Sequence, residues 1–427
     1  MATNSYVTGI RRATDTDSEG ILVRDITKDI WNPELGENQN AALFHRLQDK
    51  IKGPMEVKQS KFELYSKYNQ QREIALSSIS TPTSTTMTFT AAESRVLSPR
   101  MLLVNLRTDE RVRILTVNYA SGEVTTERDV GSYKSGAQNF LANDVFRILG
   151  PAREENGLPD TPKTINHNLS YNYVMTLRTP FGSSDIEINS DTVFGGPRWP
   201  AEAKEKAQQH KADINAYLWF GIRDKSTDPV EGAETVWITG GVLQHIGANY
   251  IDLSSVPLTE RQMDDVIMAK AFLTGKTEKT AWCGSHFAQS VSSWAKNKGR
   301  WTINKDKSKH YGVTIAEYES AGCVLEFIVD REIFAGVGDT SLYTSGTMSN
   351  RVAVLQMDQL KFAILQNMGT KLYKDVQEPG RAGKVWEYRT TFGLHMQPGI
   401  DDPFNDYTAP EQYRNPHTLI KGFKTYV

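Results

Sequence analysis

Tyr171-Asn172-Tyr173-Val174-Met175-Thr176-Leu177-Arg178 reads as a strand, and Thr179-Pro180-Phe181-Gly182 carries it into a polar segment. Thr179-Pro180 is expected to act as a hinge. A charged helix is expected over 200–224, ending in Leu218-Trp219-Phe220-Gly221-Ile222-Arg223, and Thr239-Gly240-Gly241-Val242 follows. Pro200 suits a first helical turn, and Glu202 to Lys206 is a favourable i, i+4 pair. Ile214, Leu218 and Ile222 form its apolar edge, with Lys204, Glu205, Gln208 and Lys211 in solvent. A rod of about 36 Å results at 1.5 Å per residue. None of these residue types at these spacings builds a catalytic centre. The stretch is a scaffold.

Working outward, Thr83–Leu149 changes to a period of two. Short strands are expected at Thr86–Thr90, Met101–Asn105, Arg111–Asn118, Glu123–Arg128 and Asp144–Leu149, with turn residues such as Ala120-Ser121-Gly122 between them. This is a self-contained antiparallel β module. Before it, 1–37 is a polar arm, and Leu43, Leu47 and Ile51 set one face of a helix over Asn40–Lys52, stopped by Gly53-Pro54. So narrow a stripe needs something to dock on. Residues 150–168 are a proline-containing linker.

Farther on, Thr259-Glu260-Arg261-Gln262 is a capping box opening a helix with Met263, Val266, Ile267 and Phe272 inward and Gly275 as its stop. Ser285 caps a second helix, with Phe287, Val291, Trp294 and Ala295 on one face and Gly299 at its end. Strands are expected at Val313–Tyr318, Val324–Asp330, Val352–Met357, Lys361–Leu365 and Lys384–Gly393, with a glycine- and serine-rich loop over 336–350. From Gln397 onward no periodicity remains, so the tail reads as an extended strap. Trp31, Phe44, Phe404, Tyr407, Tyr413 and Phe423 on the arm and tail are expected to bury themselves on a neighbouring subunit.

The bulk numbers narrow the function. A chain of 427 residues exceeds one ordinary core. Its 49 basic and 51 acidic side chains give a net charge of −2, with no basic stripe beyond Lys296–Lys309, which argues against a dedicated nucleic-acid reader or membrane-surface binder. Two cysteines form no disulfide framework and suit a reducing compartment. No apolar run reaches the ~20 residues that span a bilayer.

Trp282-Cys283-Gly284-Ser285-His286-Phe287 holds the best nucleophile candidate: Cys283 near a helix N-terminus with His286 as its base. Neighbouring positions at a helix start diverge, however, and a buried cysteine is ordinarily a small apolar group. Thr274-Gly275-Lys276-Thr277 resembles the end of a phosphate loop, yet Lys270 stands where its first glycine belongs. Gly336-Val337-Gly338 lacks the third glycine of a dinucleotide fingerprint. His45, His167, His210, His245, His286, His310, His395 and His417 never fall at metal-ligand spacing. No catalytic residue, cofactor or metal is expected. Trp31, Trp199, Trp219 and Trp386 read as core or interface anchors.

In its whole order the chain resembles the tailed-phage major capsid (major head) proteins of the SU-ten type, which have the Hong Kong 97-type capsid fold. The matching residues are Val124-Thr125-Thr126-Glu127-Arg128-Asp129-Val130-Gly131, Ile148-Leu149-Gly150-Pro151-Ala152-Arg153-Glu154-Glu155-Asn156-Gly157, Tyr171-Asn172-Tyr173 and Arg178-Thr179-Pro180-Phe181. They continue with His210-Lys211-Ala212-Asp213-Ile214, Phe220-Gly221, Thr239-Gly240-Gly241-Val242, Trp282-Cys283-Gly284, Tyr311-Gly312-Val313 and Gly383-Lys384-Val385-Trp386-Glu387-Tyr388-Arg389-Thr390. Their ordered run, from about 85 to 397, carries the resemblance.

The resemblance implies an α+β fold divided into an N-terminal arm (1–60), an extended loop with the β module (61–168), a peripheral domain (169–239 and 346–397) with its spine helix at 200–224, an axial domain (240–345) and a C-terminal tail (398–427). It implies a structural virion protein whose copies assemble into pentamers, hexamers and a shell enclosing double-stranded DNA, touched non-specifically. Decoration, portal and scaffold proteins are the other implied partners, and synthesis would be in the host bacterial cytoplasm. The chain starts directly with the arm, so the long helical extension some members use as an internal scaffold is expected to be lacking, and no cleaved propeptide is expected. The alternatives are a tail-tube or baseplate subunit, which would be mainly β, and a hydrolase using Cys283 and His286.

Overall fold

The computed structural model describes residues 42–48, 54–66, 72–152, 155, 168–189, 199–284 (except 231, 233 and 248), 287, 288, 290, 291, 316–334 (except 331), 348–397 (except 381) and 415–424. The fold is α+β. Its largest sheet is the expected β module, in the order Glu73–Ala75, Val145–Pro151, Met101–Asn105, Arg111–Asn118, Glu123–Glu127, Thr86–Thr88 and Ser78–Ile79. Leu103, Ile114, Val124 and Phe146 alternate inward and close a core of their own. The first expected strand ends early because Thr90 caps a helical turn, Ala91–Ser94, in a reciprocal box with Glu93.

A five-stranded sheet runs Met55–Val57, Leu360–Leu365, Lys384–Met396 and Met175–Ser183, with Lys371–Tyr373 also on Lys384–Met396. The expected hinge is corrected here. Thr179 and Pro180 lie inside the strand, opposite Tyr388 and Glu387. The strand is at the sheet edge, where a proline without an N–H is tolerated. The chain breaks instead at Val174, leaving Asn168–Tyr173 to pair with Lys61–Ser66.

Against this sheet lies the long helix, Trp199–Phe220, of 22 residues and therefore roughly 33 Å. Ala203, His210, Ile214, Leu218 and Trp219 face inward. The helix stops four residues before the expected end because 224–227 is needed as a strand paired with Thr235–Ile238. Ile222, expected on the buried edge, is consequently 66% exposed.

The arm helix, Ala42–Gln48, corrects a second expectation. Phe44 is buried in this chain's own core, edge-on to Phe362 at 5.3 Å, and its N–H donates to Asn215 Oδ1 at 3.3 Å. Arg46 pairs with Glu326 at 3.3 Å. Docking is thus met within the chain; Ile51, Trp31 and 1–41 lie outside the described residues.

A six-stranded sheet orders Tyr250–Pro257, Thr418–Lys424, Arg351–Leu355, Glu278–Cys283, Cys323–Val329 and Ala316–Ser320. The expected aperiodic strap is corrected by Thr418–Lys424, which is hydrogen-bonded on both sides, parallel to Tyr250–Pro257 and antiparallel to Arg351–Leu355. Ile420 and Phe423 are buried there, so Phe423 is no free anchor for a neighbour. Phe404, Tyr407 and Tyr413 lie outside the described residues. The capping box at Thr259 forms as expected. A π-helical turn at Met263–Met268 then rotates the face, turning Val266 outward and Met268 inward.

Candidate assembly surface

The opening stretch builds a joint. Asn172 is fully buried: Oδ1 accepts from the N–H groups of Gly240 and Tyr173, both at 2.8 Å, and Nδ2 donates to Leu394 O at 2.7 Å and Gly240 O at 3.1 Å. One side chain therefore ties a strand, the Thr239–Val242 turn and the long strand Lys384–Met396. The end of the long helix meets the same turn backbone to backbone. Gly241 N–H donates to Gly221 O at 2.7 Å, and a Cβ on Gly241 would lie 2.7 Å from Gly221 N and 2.8 Å from Trp219 O. Arg223 closes the joint, donating to Tyr171 O at 2.7 Å with its guanidinium 3.9 Å from the Tyr171 ring centroid.

Where the helix ends, its outer face is left uncovered. Tyr217, Phe220, Ile222 and Ile238 line a groove of about 490 Å³, with Asp224 also on its wall. Tyr217, Phe220 and Ile222 are all exposed large hydrophobic side chains. Clustered exposed apolar surface of this kind marks an interaction site.

The β module carries a second uncommon feature. Glu110 is fully buried and holds Arg128 in a two-point pair, Nε to Oε1 at 2.7 Å and Nη2 to Oε2 at 2.8 Å. Arg128 also donates to Ser84 O and Gln138 O, and its guanidinium lies 3.7 Å from the Phe140 ring centroid. Asp129 accepts from the N–H groups of Lys134 at 2.9 Å and Gly136 at 2.6 Å. The loop they enclose has Asp129, Gly131, Ser132, Ser135 and Gly136 at positive φ. At its tip stands Tyr133, 56% exposed, with Arg111 4.7 Å and Lys134 5.1 Å from its ring centroid. Beside the loop, Arg107 donates twice to Asp144, holding that carboxyl down at about 2.

The nucleophile candidate does not assemble. Cys283 ends a strand rather than opening a helix; it is fully buried, burial pushes its thiol pKa far up, and Sγ lies 3.7 Å from Ile328 O. His286 lies outside the described residues. The preceding helical segment ends at Ala271 with Phe272 as its cap, so Gly275, at φ +88°, stands in the turn beyond it and is not the expected stop; Lys276 pairs with Asp358 at 2.6 Å. Gly336–Gly338, Lys296–Lys309, His167 and His310 are likewise outside the described residues. Among those described, no group of three or more His, Cys, Asp or Glu could hold a metal ion.

Several buried titratable groups have structural partners. His210 bridges Thr179 Oγ1 and Thr390 Oγ1, each at 2.8 Å, and burial lowers its pKa to about 4. His417 Nδ1 accepts from Gln356 N–H at 3.2 Å, which leaves Nε2 as donor to Gln397 O at 2.8 Å. Burial lowers its pKa to about 3. Burial raises Asp330 to about 6 and Glu332 to about 7. Neither the groove nor the Glu110–Arg128 pair was among the sequence expectations. Nothing in the sequence separates Tyr217, Phe220 and Ile222 from buried apolar residues, and Ile222 was expected on the buried edge.

Residues 14–398 match the family model of the SU10 major capsid protein. The chain belongs to that family. Solved structures similar to it include the capsid of the native GTA particle computed with C5 symmetry, 10% identical, covering 97% of this chain and 99% of that one at a TM-score of 0.48. The capsid asymmetric unit of cyanophage A-1(L) is 10% identical, with 97% and 99% covered and a TM-score of 0.45. Mycobacterium phage Adephagia is 9% identical, with 98% and 100% covered and a TM-score of 0.43. Among curated proteins none matches. Family membership bears out the expectation of a structural major capsid subunit located in the virion, and the structure bears out the α+β class. The tail-tube, baseplate and hydrolase readings gain no support.

Proposed function

We propose that copies of this subunit close into pentamers and hexamers, and those into an icosahedral or prolate shell around double-stranded phage DNA. The family match across 14–398 carries the reading. Two distinct exposed surfaces, the groove and the Tyr133 loop, favour head-to-tail contacts, which close into rings when the rotation allows. Contacts made by every copy with many neighbours add up to effectively irreversible assembly. A net charge of −2 suits a wall that contains DNA through non-specific contact only. Decoration, portal and scaffold proteins are further proposed partners, with synthesis in the host bacterial cytoplasm and no enzymatic activity.

The division into lobes belongs to the same proposal: arm 1–60, extended loop 61–168, peripheral domain 169–239 and 346–397, axial domain 240–345 and tail 398–427. The sheet pairings favour one revision. Arg351–Leu355 and Thr418–Lys424 share the six-stranded sheet with Glu278–Cys283 and so belong with the axial lobe. Expression of the chain followed by negative-stain microscopy tests the reading. Closed shells or ring capsomers are expected; a persistent monomer under all assembly conditions refutes it.

A further inference from the structure

We infer that the Tyr133 loop of one subunit docks into the Tyr217–Ile238 groove of the next, with Arg111 set against Asp224. The inference rests on the capsid reading, which supplies a second copy of this chain as the occupant, and it specifies one contact by residue.

The groove needs an apolar filler. About 490 Å³ lined by Tyr217, Phe220, Ile222 and Ile238 accommodates one aromatic side chain and the atoms beside it. A buried aromatic covers about 150–250 Å² and dominates the energetics of such contacts. Asp224 on the same wall makes the complement cationic as well as aromatic.

Tyr133 meets both conditions. Its ring is flanked by Arg111 and Lys134. Lys134 has Asp109 at 3.6 Å within its own chain, so Arg111 is the cation assigned to Asp224. The loop is also preorganised. Five of its eight positions from 129 to 136 are at positive φ, and both Asp129 oxygens and the buried Glu110–Arg128 pair fasten its ends. Holding a surface loop so firmly removes the ordering cost of docking before the partner arrives. Two other exposed hydrophobes fit less well. Val230 is aliphatic and sits in a turn where Asp228 accepts its N–H at 2.8 Å, at the end of the hairpin away from the Asp224–Ile238 pair, and Ile186 lies on a short helix whose first turn is acidic. Knob and groove are separate surfaces of the chain, so each copy can offer its loop to the next and its groove to the one before, the head-to-tail arrangement that ring closure requires.

Cross-linking tests the pairing. In a Cys323→Ser background, where Cys283 stays buried, one chain carries Ser132→Cys and a second Ser226→Cys, both at exposed positions that leave Tyr133 and Asp224 in place. The two are co-expressed and the particles treated with a short bismaleimide. A covalent dimer of one variant with the other is expected, and neither variant alone should give one. Particles without the mixed dimer overturn the pairing, and so does Ser226→Cys linking to itself, which would mean groove packed on groove. Failure of the unsubstituted chain to form particles at all would sink the capsid reading instead, and the pairing with it. Charge reversal gives a second test. Arg111→Glu and Asp224→Arg should each raise the concentration needed for assembly about tenfold, and their combination should restore it. A combined variant no better than either single one overturns the pairing.

Discussion

Replacing Arg128 by methionine removes the guanidinium and keeps much of the stem. The carboxylate of Glu110 then stays fully buried with only the N–H groups of Asp129 and Gln138 to solvate it, at 3.1 and 2.8 Å. Four hydrogen bonds are lost, two to Glu110 and one each to Ser84 O and Gln138 O, together with the contact on Phe140. Breaking a buried ion pair from one side costs about 3–5 kcal/mol, and the two remaining N–H donors place this case near the lower end. At 1.4 kcal/mol per tenfold, about 3 kcal/mol speeds the opening reactions of the β module roughly a hundredfold. Hydrogen exchange of the amides in Arg111–Asn118 and Glu123–Glu127 reads this locally, where unfolding of the other lobes does not mask it. Glu110→Gln/Arg128→Met together should cost less than the sum of the single changes, because the double variant leaves no buried charge unpaired, whereas each single change leaves one. Exchange within twofold of the parent in Arg128→Met would refute the reasoning, and strong salt dependence would contradict the burial of the pair.

The buried histidines make the fold acid-labile. His210, His245, His395 and His417 are lowered to about 4, 3, 4 and 3, mainly by burial, against about 6.5 unfolded, so their contribution is complete above pH 6.5 and is lost as pH falls toward 3–4. Asp330 and Glu332, raised to about 6 and 7, act in the opposite sense, stabilising as pH falls below 7. Four protons against two leave a net loss of about 3 kcal/mol per pH unit near pH 5; a melting temperature that rises from pH 7 to pH 5 would contradict this. Cys283 should resist iodoacetamide in the native chain while the half-buried Cys323 reacts, as mass spectrometry of the peptides will read, and selective labelling of Cys283 would revive the nucleophile. Gly241→Ala forces a Cβ against three backbone atoms within 2.9 Å and should cost about 1–3 kcal/mol, seen as a lower urea midpoint by tryptophan fluorescence; an unchanged midpoint would mean the joint is looser than described.

Legibility followed the range of the physics. The β module was readable because its strands bury one face and so alternate, as Met101–Asn105 does. The capping box at Thr259 was readable because its two hydrogen bonds lie within four residues. Glu278–Cys283 was missed because all but its first residue are buried, which erases the period of two. The π turn at Met263–Met268 moved Val266 outward, a change that no 3.6-residue pattern contains. The groove was unreadable for a different reason: exposed apolar side chains look the same in sequence as buried ones.

The sequence by itself determined the local elements, the near-neutral charge and, through the ordered run of motifs from about 85 to 397, the family. Those properties depend on neighbours along the chain or on order alone. The tertiary structure decided which surfaces are spent internally. Phe44 and Phe423, both legible as anchors seeking a partner, find it within the chain, against Phe362 and Phe287. Tyr217, Phe220 and Ile222 do not, because the long helix ends at Gly221 against Gly241 and leaves that face open. Burial is a property of pairs hundreds of residues apart, and only the packed chain settles which apolar groups remain for another copy.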